Sequence, residues 1–96
     1  MKIQLAPHDG WGFLETVDGE LAAPFTAEID EVGVDCGDGI LGWRGHAING
    51  KYVGARLEMT PRNTPYNGRV VAHIKTDREL LFSGIAEAEG LECNWA

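Results

Sequence analysis

Histidine and cysteine are the residues in this sequence most able to bind a metal or to attack a substrate. The 96 residues include three histidines and two cysteines. They are His8, Cys36, His46, His73 and Cys93. No two of them lie two to five residues apart, the spacing of paired ligands in zinc sites. We therefore expect no metal site and no cofactor, and interpret the histidines as exposed or capping groups.

For catalysis, Cys36 with a histidine is the only nucleophile–base pairing worth naming, and Ser83 is a weaker alternative nucleophile. Almost any protein supplies such a pair, so it has little specificity. Carboxylate pairs such as Glu15 with Glu28 occur in any acidic β protein. A domain of this size also has little room for a closed, dry site. The sequence therefore favours a non-enzymatic protein but does not exclude an enzyme.

Charged residues are unevenly distributed along the chain, whose net charge is −7. Residues 1–43 carry one lysine and nine acidic residues, and residues 79–96 carry four acidic residues and no base. Residues 44–78 carry seven basic and two acidic residues. Net acidity disfavours direct nucleic-acid binding and a membrane-coating role. Three interpretations stay open: an ordinary solvated surface, a basic face for an acidic partner, or acidic blocks that imitate a phosphate backbone.

The elements that must position these side chains are β-strands. Apolar and polar residues alternate over short segments, and the 13 glycines together with turn dipeptides such as Asp18-Gly19 separate them. About seven strands at intervals near 12 residues predict an all-β fold. We expect residues 1–96 to form a single-domain antiparallel small barrel or sandwich of about six to eight short strands, with little helix. Residues 31–39 are expected to be a loop or an irregular edge.

The central hairpin has the clearest pattern. A strand at 40–47 joins a strand at 52–59 through a predicted three-residue turn, Ile48-Asn49-Gly50, with Gly50 left-handed. The opposed residue numbers then sum to 98, which places Trp43 opposite Ala55 in the core. A slip of one residue would bury Arg44 and His46, so the apolar pattern favours the pairing in which opposed residue numbers sum to 98. Val53, Ala55, Leu57 and Met59 are then predicted inward, and Tyr52, Arg56 and Glu58 outward.

This register groups basic and aromatic side chains on the outside of the central strands. On the strand at 69–75, Val70, Ala72 and Ile74 are predicted inward, and Arg69, His73 and Lys75 outward. Tyr66 lies in the adjacent Pro65-Tyr66-Asn67-Gly68 segment, where a loop on a rigid sheet often carries recognition residues. The candidate binding residues are Arg44, His46, Tyr52, Arg56, Tyr66, Arg69 and His73.

No stretch carries a family signature, so the functional hypotheses depend on surface chemistry. The first is a non-enzymatic interaction protein, such as an inhibitor, that binds another protein through this face. The alternative is a small-molecule-binding barrel, with or without weak enzymatic activity, whose pocket would lie near Trp11, Phe13 and Trp43. A third is a homo-oligomer that joins unpaired edge strands.

The N-terminal segment bears on the compartment. Pro7, His8 and Asp9 interrupt it before any apolar signal-peptide core, and no apolar run approaches transmembrane length. Cys36 and Cys93 could form one disulfide, but two free thiols in a reducing compartment is the simpler interpretation. We therefore expect a cytoplasmic protein that does not enter a membrane.

Overall fold

A computed structural model describes residues 1–7, 15–16, 22–61 and 68–91, with residues 15–16 described only in their backbone. These residues form seven β-strands and no helix. The strands are β1 (Lys2–Pro7), β2 (Glu15–Thr16), β3 (Phe25–Asp35), β4 (Leu41–Ala47), β5 (Arg56–Pro61), β6 (Arg69–Lys75) and β7 (Leu80–Glu89). The all-β prediction is confirmed.

The first strand closes the sheet into a barrel. β1 pairs with β3 on one side and with β7 on the other, so the ring runs β1-β3-β4-β5-β6-β7. Every neighbouring pair in this ring is antiparallel. β2 lies outside the ring and pairs with β7 at Glu15–Ser83 and Thr16–Phe82. Of the two predicted architectures, the small antiparallel barrel is the one that forms, with six strands.

Alternating side chains fill the interior of the barrel, because successive residues of a strand point to opposite faces. Trp43 is the largest of the fully enclosed side chains and has no exposed surface. The other buried residues include Phe25, Ala27 and Ile29 on β3, Leu57 and Met59 on β5, Val70, Ala72 and Ile74 on β6, and Phe82, Ala86 and Ala88 on β7. The predicted inward faces of β5 and β6 are confirmed.

The hairpin between β4 and β5 departs from the predicted three-residue turn. Trp43 pairs with Met59 and Gly45 with Leu57, so the opposed numbers sum to 102 and not 98. The connection spans residues 48–55, and Ala47 N–H donates to the Ala55 carbonyl at 3.0 Å where it closes. The predicted turn length and partners were therefore wrong. From residue 55 onward the predicted inward and outward faces are still correct, because the predicted and observed sums of opposed residue numbers are both even.

Two residues of this connection lie opposite to their predicted positions. Tyr52, predicted outward among the basic side chains, is buried at 4% exposure, and Val53, predicted inward, is 64% exposed. Both belong to the turn, where strand alternation does not apply. The Tyr52 ring packs edge-on against Phe25, with ring centroids 5.6 Å apart. Gly50 is left-handed as predicted (φ 78°), and a Cβ there would lie 2.8 Å from the Phe25 Cβ.

The third strand continues further than the sequence indicates. β3 extends to Asp35, through much of the segment 31–39 predicted as a loop or an irregular edge. Its register with β4 shifts twice, at 29–31 and at 32–34. These bulges allow a glycine-containing, acidic segment to keep pairing with β4 while the strand bends. The prediction of irregularity is correct, and the prediction that pairing stops is wrong.

Strand direction decides which turns share an end of the barrel. The β4–β5 and β6–β7 connections lie at one end, because Arg56 of β5 pairs with Lys75 of β6 and Lys75 with Leu80 of β7. The β3–β4 turn lies at the other end, where Asp35 pairs with Leu41. Across the described ranges, no helix is long and apolar enough to cross a membrane.

Candidate functional site

A line of basic side chains crosses the outer face of three neighbouring strands. His46 of β4 pairs with Arg56 of β5, and Arg56 pairs with Lys75 of β6. Adjacent strands lie about 4.8 Å apart, so the three residues form one row across the sheet. Like charges directly opposite each other destabilise a sheet, so the Arg56–Lys75 pair costs stability unless an anion approaches it. We call these three residues the basic row.

A second row, two residues further along the strands, alternates in charge. Glu31 of β3 pairs with Arg44 of β4, and Arg44 pairs with Glu58 of β5. Arg44 Nε donates to Glu58 Oε2 at 3.0 Å, and Arg44 Nη1 lies 4.0 Å from Glu31 Oε2. The hydrogen bond that Arg44 donates to Glu58 raises the pKa of Arg44, which stays charged under all ordinary conditions. We call these three residues the mixed row.

Carboxylates from neighbouring segments contact the basic row. His46 Nδ1 lies 2.8 Å from Asp30 Oδ2, and Arg56 Nη2 forms an ion pair with Asp77 in the β6–β7 turn. These pairs are well exposed: the Asp77 side chain is 86% accessible and that of Arg56 61%. Exposed ion pairs add little to stability and exchange readily with other ligands. The basic row therefore keeps its side chains available to an incoming carboxylate.

The two rows line a groove of about 690 Å³ on the outer surface of the barrel. Its lining residues are Asp30, Glu31, Arg44, Gly45, His46, Arg56, Leu57, Glu58 and Lys75. A smaller depression of about 320 Å³ lies beside it at the β6–β7 turn and shares Arg56 and Lys75 with it. We call the larger one the charged groove. The Arg56–Lys75 pair thus stands between two concave surfaces.

The groove is not the uniformly cationic face that the sequence predicts. The basic strands are neighbours as expected, but Asp30 and Glu31 of β3 and Glu58 of β5 lie among their basic side chains. Three carboxylates therefore face three permanent cations, together with His46. The acidic N-terminal block and the basic central block meet on one surface, because β3 pairs with β4.

Three predicted binding residues, Arg44, His46 and Arg56, line the charged groove together. His73 lies next to the mixed row, since it pairs with Glu58 on one side and Ser83 on the other. The structure therefore brings these four outward residues onto one part of the sheet, as the strand pattern predicts.

The other three predicted residues are not part of this cluster. Arg69 faces outward on β6 but pairs with Glu87, six residues along the strand from Lys75 and roughly 20 Å away. Tyr52 is buried, with its ring edge-on against Phe25. Tyr66 lies outside the described residues, as do Trp11 and Phe13 of the predicted pocket.

Sequence reasoning missed the carboxylates of the groove. Simple alternation places Asp30 outward but Glu31 inward, whereas both are exposed, because the β3 register shifts between Ile29 and Glu31. Asp77 approaches Arg56 from the β6–β7 turn, which no strand pattern places. Part of the signal for Glu58 was present, because alternation already places it outward, but the predicted register sets it opposite Ile40 and only the observed register pairs it with Arg44.

The two candidate nucleophiles have different surroundings. Burial raises the pKa of the Cys36 thiol, with Glu58 acting in the same direction, so the thiol is protonated and a weak nucleophile near neutral pH. Its Sγ lies 3.7 Å from the Val34 carbonyl oxygen, and the cysteine is free. Ser83 Oγ and His73 Nδ1 share a hydrogen bond at 3.0 Å, but Ser83 is only 7% exposed. The hydrogen bond gives the Ser83 hydroxyl a partner on the sheet, and the burial of Ser83 leaves a substrate little access to it.

No group of three or more potential metal ligands occurs within the described ranges.

Comparisons with protein-family models, with curated proteins and with solved structures find no match to this chain.

Proposed function

We propose that this protein is a small non-enzymatic binding protein that docks the charged groove onto another protein, as an inhibitor or an accessory subunit does. The observation that supports this proposal is the convergence of seven ionisable side chains on one groove between β3 and β6. Charge arranged in this way gives specificity and steers association more than it adds raw affinity.

The groove is organised before any partner arrives. Arg44 is held between Glu31 and Glu58, and His46 lies against Asp30. The backbone beneath these side chains is a closed sheet, so binding requires little ordering of the chain. Pre-formed surfaces lose less conformational entropy on binding than mobile ones do.

The filled interior argues against the small-molecule alternative. Trp43, Phe82 and Met59 have no exposed surface, and they occupy the space that a ligand inside the barrel would need. A ligand there would have to displace packed side chains, which costs several kcal/mol in a close-packed core. The outer surface is therefore the better candidate for recognition. We also propose a cytoplasmic location, which the free thiol of Cys36 supports.

The test is capture of a partner from a lysate of the source organism, with wild type and Arg44→Glu/Arg56→Glu as baits. We expect wild type to retain one dominant protein, and the double variant to lose it at least about ten-fold, because two attractive contacts become repulsive. Binding to wild type should also weaken as salt is raised from low to moderate concentration. Quantitative mass spectrometry of the retained protein gives the measurement.

The matched control is Lys2→Glu/Arg78→Glu, which makes the same change in net charge outside the groove. It should retain the partner as wild type does. Equal loss in both double variants would mean that only net charge matters. Undiminished binding by Arg44→Glu/Arg56→Glu, or no protein retained by wild type, would reject the groove as the working surface.

A further inference from the structure

The basic row is unusual among the charged positions described here. Arg56 and Lys75 are direct cross-strand partners of the same sign, and His46 extends the row on the other side of Arg56. In the mixed row, by contrast, every cross-strand neighbour has the opposite sign. A like-charge pair in an otherwise complementary sheet is a feature that a bound anion would offset.

The contacts of the row show that it can bind a carboxylate. Its two described ion-pair partners are both carboxylates, Asp30 on His46 and Asp77 on Arg56. Asp77 comes from a turn and is 86% exposed, so it can leave Arg56 when another carboxylate arrives. Thus Arg56 already binds the chemical group that a protein partner would present.

The mixed row disfavours a polyanion. Glu31 and Glu58 lie roughly 7 Å from the basic row, two residues along their strands. The regularly repeated phosphates of a nucleic acid would bring negative charge against these carboxylates. An isolated acidic side chain, by contrast, can approach Arg56 and Lys75 without meeting them.

We propose that the basic row binds the carboxylate of an acidic side chain on the partner protein, with Arg56 and Lys75 as the main contacts and Asp77 as an internal competitor. This inference depends on the proposed function and specifies the chemistry of the contact. Removing Asp77 should strengthen binding, whereas removing Arg56 and Lys75 should weaken it. A general dependence on charge would give the same two signs, so the proposal is separated from it by a control variant that makes the same charge change elsewhere on the barrel.

The probe is a hexapeptide with a single Glu among Thr residues, acetylated and amidated so that one side-chain carboxylate is its only charge. Binding is followed by NMR titration of the ¹⁵N-labelled protein at fixed ionic strength. We expect shifts concentrated at residues 46, 56 and 75–77, with affinity lowered about ten-fold in Arg56→Gln/Lys75→Gln and raised several-fold in Asp77→Asn. The control Lys2→Gln/Arg69→Gln removes the same charge elsewhere and should bind as wild type.

Two further titrations identify the ligand chemistry. The same peptide with Gln in place of Glu should not bind, and inorganic phosphate should bind more weakly than the Glu peptide. Equal affinity of wild type and Arg56→Gln/Lys75→Gln, weaker binding by Asp77→Asn, or preference for phosphate would overturn the proposal. If the peptide fails while partner capture still depends on Arg44 and Arg56, the carboxylate contact is rejected and the protein-binding function stands.

Discussion

Replacement of Trp43 by alanine is expected to lower the free energy of unfolding by about 3–5 kcal/mol. Trp43 is the largest fully enclosed side chain, and it contributes to the core from the centre of β4. Its removal leaves a cavity that the paired strands cannot close without breaking their ladders. A domain of this size has a total stability of about 5–15 kcal/mol, so the variant would be marginally folded.

Urea unfolding followed by far-ultraviolet circular dichroism measures this change without depending on tryptophan fluorescence. The control is Val53→Ala, at a side chain that is 64% exposed, for which we expect a change within about 0.5 kcal/mol. A loss below about 1 kcal/mol for Trp43→Ala would show that the barrel interior is not packed as described.

Replacement of Gly45 by alanine should be comparably damaging, by about 3 kcal/mol or more. A Cβ at this position would lie 2.1 Å from the backbone carbonyl oxygen of Glu28 and 3.1 Å from the Ile29 Cα. Both are backbone atoms of β3, so the strand itself would have to move away from β4. The pairing that carries Asp30 and Glu31 into the groove would move with it.

The control for Gly45 is Gly54→Ala. Gly54 has a φ of 84° and no atom within 4 Å of an added Cβ, so alanine there costs only the left-handed backbone, about 1–2 kcal/mol. Thermal unfolding of both variants separates steric overlap from backbone strain. If Gly45→Ala is no less stable than Gly54→Ala, then β3 and β4 do not approach as closely as the structure has them.

Much of the fold follows from alternation alone. The inward residues of β6, Val70, Ala72 and Ile74, are all buried, and Trp43 is fully enclosed as predicted. Such positions are predictable because the side-chain period of a strand is two and only one face of this sheet meets the core. Closure through β1 was not predictable in detail, since it depends on which distant strands meet.

The β4–β5 connection shows where local reasoning fails. Asn49 Oδ1 accepts a hydrogen bond from Thr26 N–H at 2.7 Å, and Ile48 N–H donates to the Thr26 carbonyl at 3.0 Å. These contacts to the start of β3, with Tyr52 over Phe25, favour a turn that reaches across the barrel end. An Asn-Gly dipeptide in isolation predicts a tighter turn.

One part of the candidate site was predictable from the sequence and the other was not. Strand periodicity places Arg44, His46 and Arg56 on the outer face, and the register brings them together. It could not supply Glu31 or Asp77, because one follows a bulge and the other lies in a turn. The local pattern therefore identified the basic side chains of the groove and Glu58, and tertiary structure brought the carboxylates of β3 and of the β6–β7 turn beside them.

The central claim is that the charged groove contacts a partner protein, and photo-crosslinking tests it most directly. Benzoylphenylalanine would replace Glu31, which lines the groove, or Glu89, an exposed acidic residue at the far end of β7. We predict one dominant crosslinked protein from position 31, the same protein that wild type retains, and none from position 89. No adduct from position 31, or equal adducts from both positions, would contradict the claim.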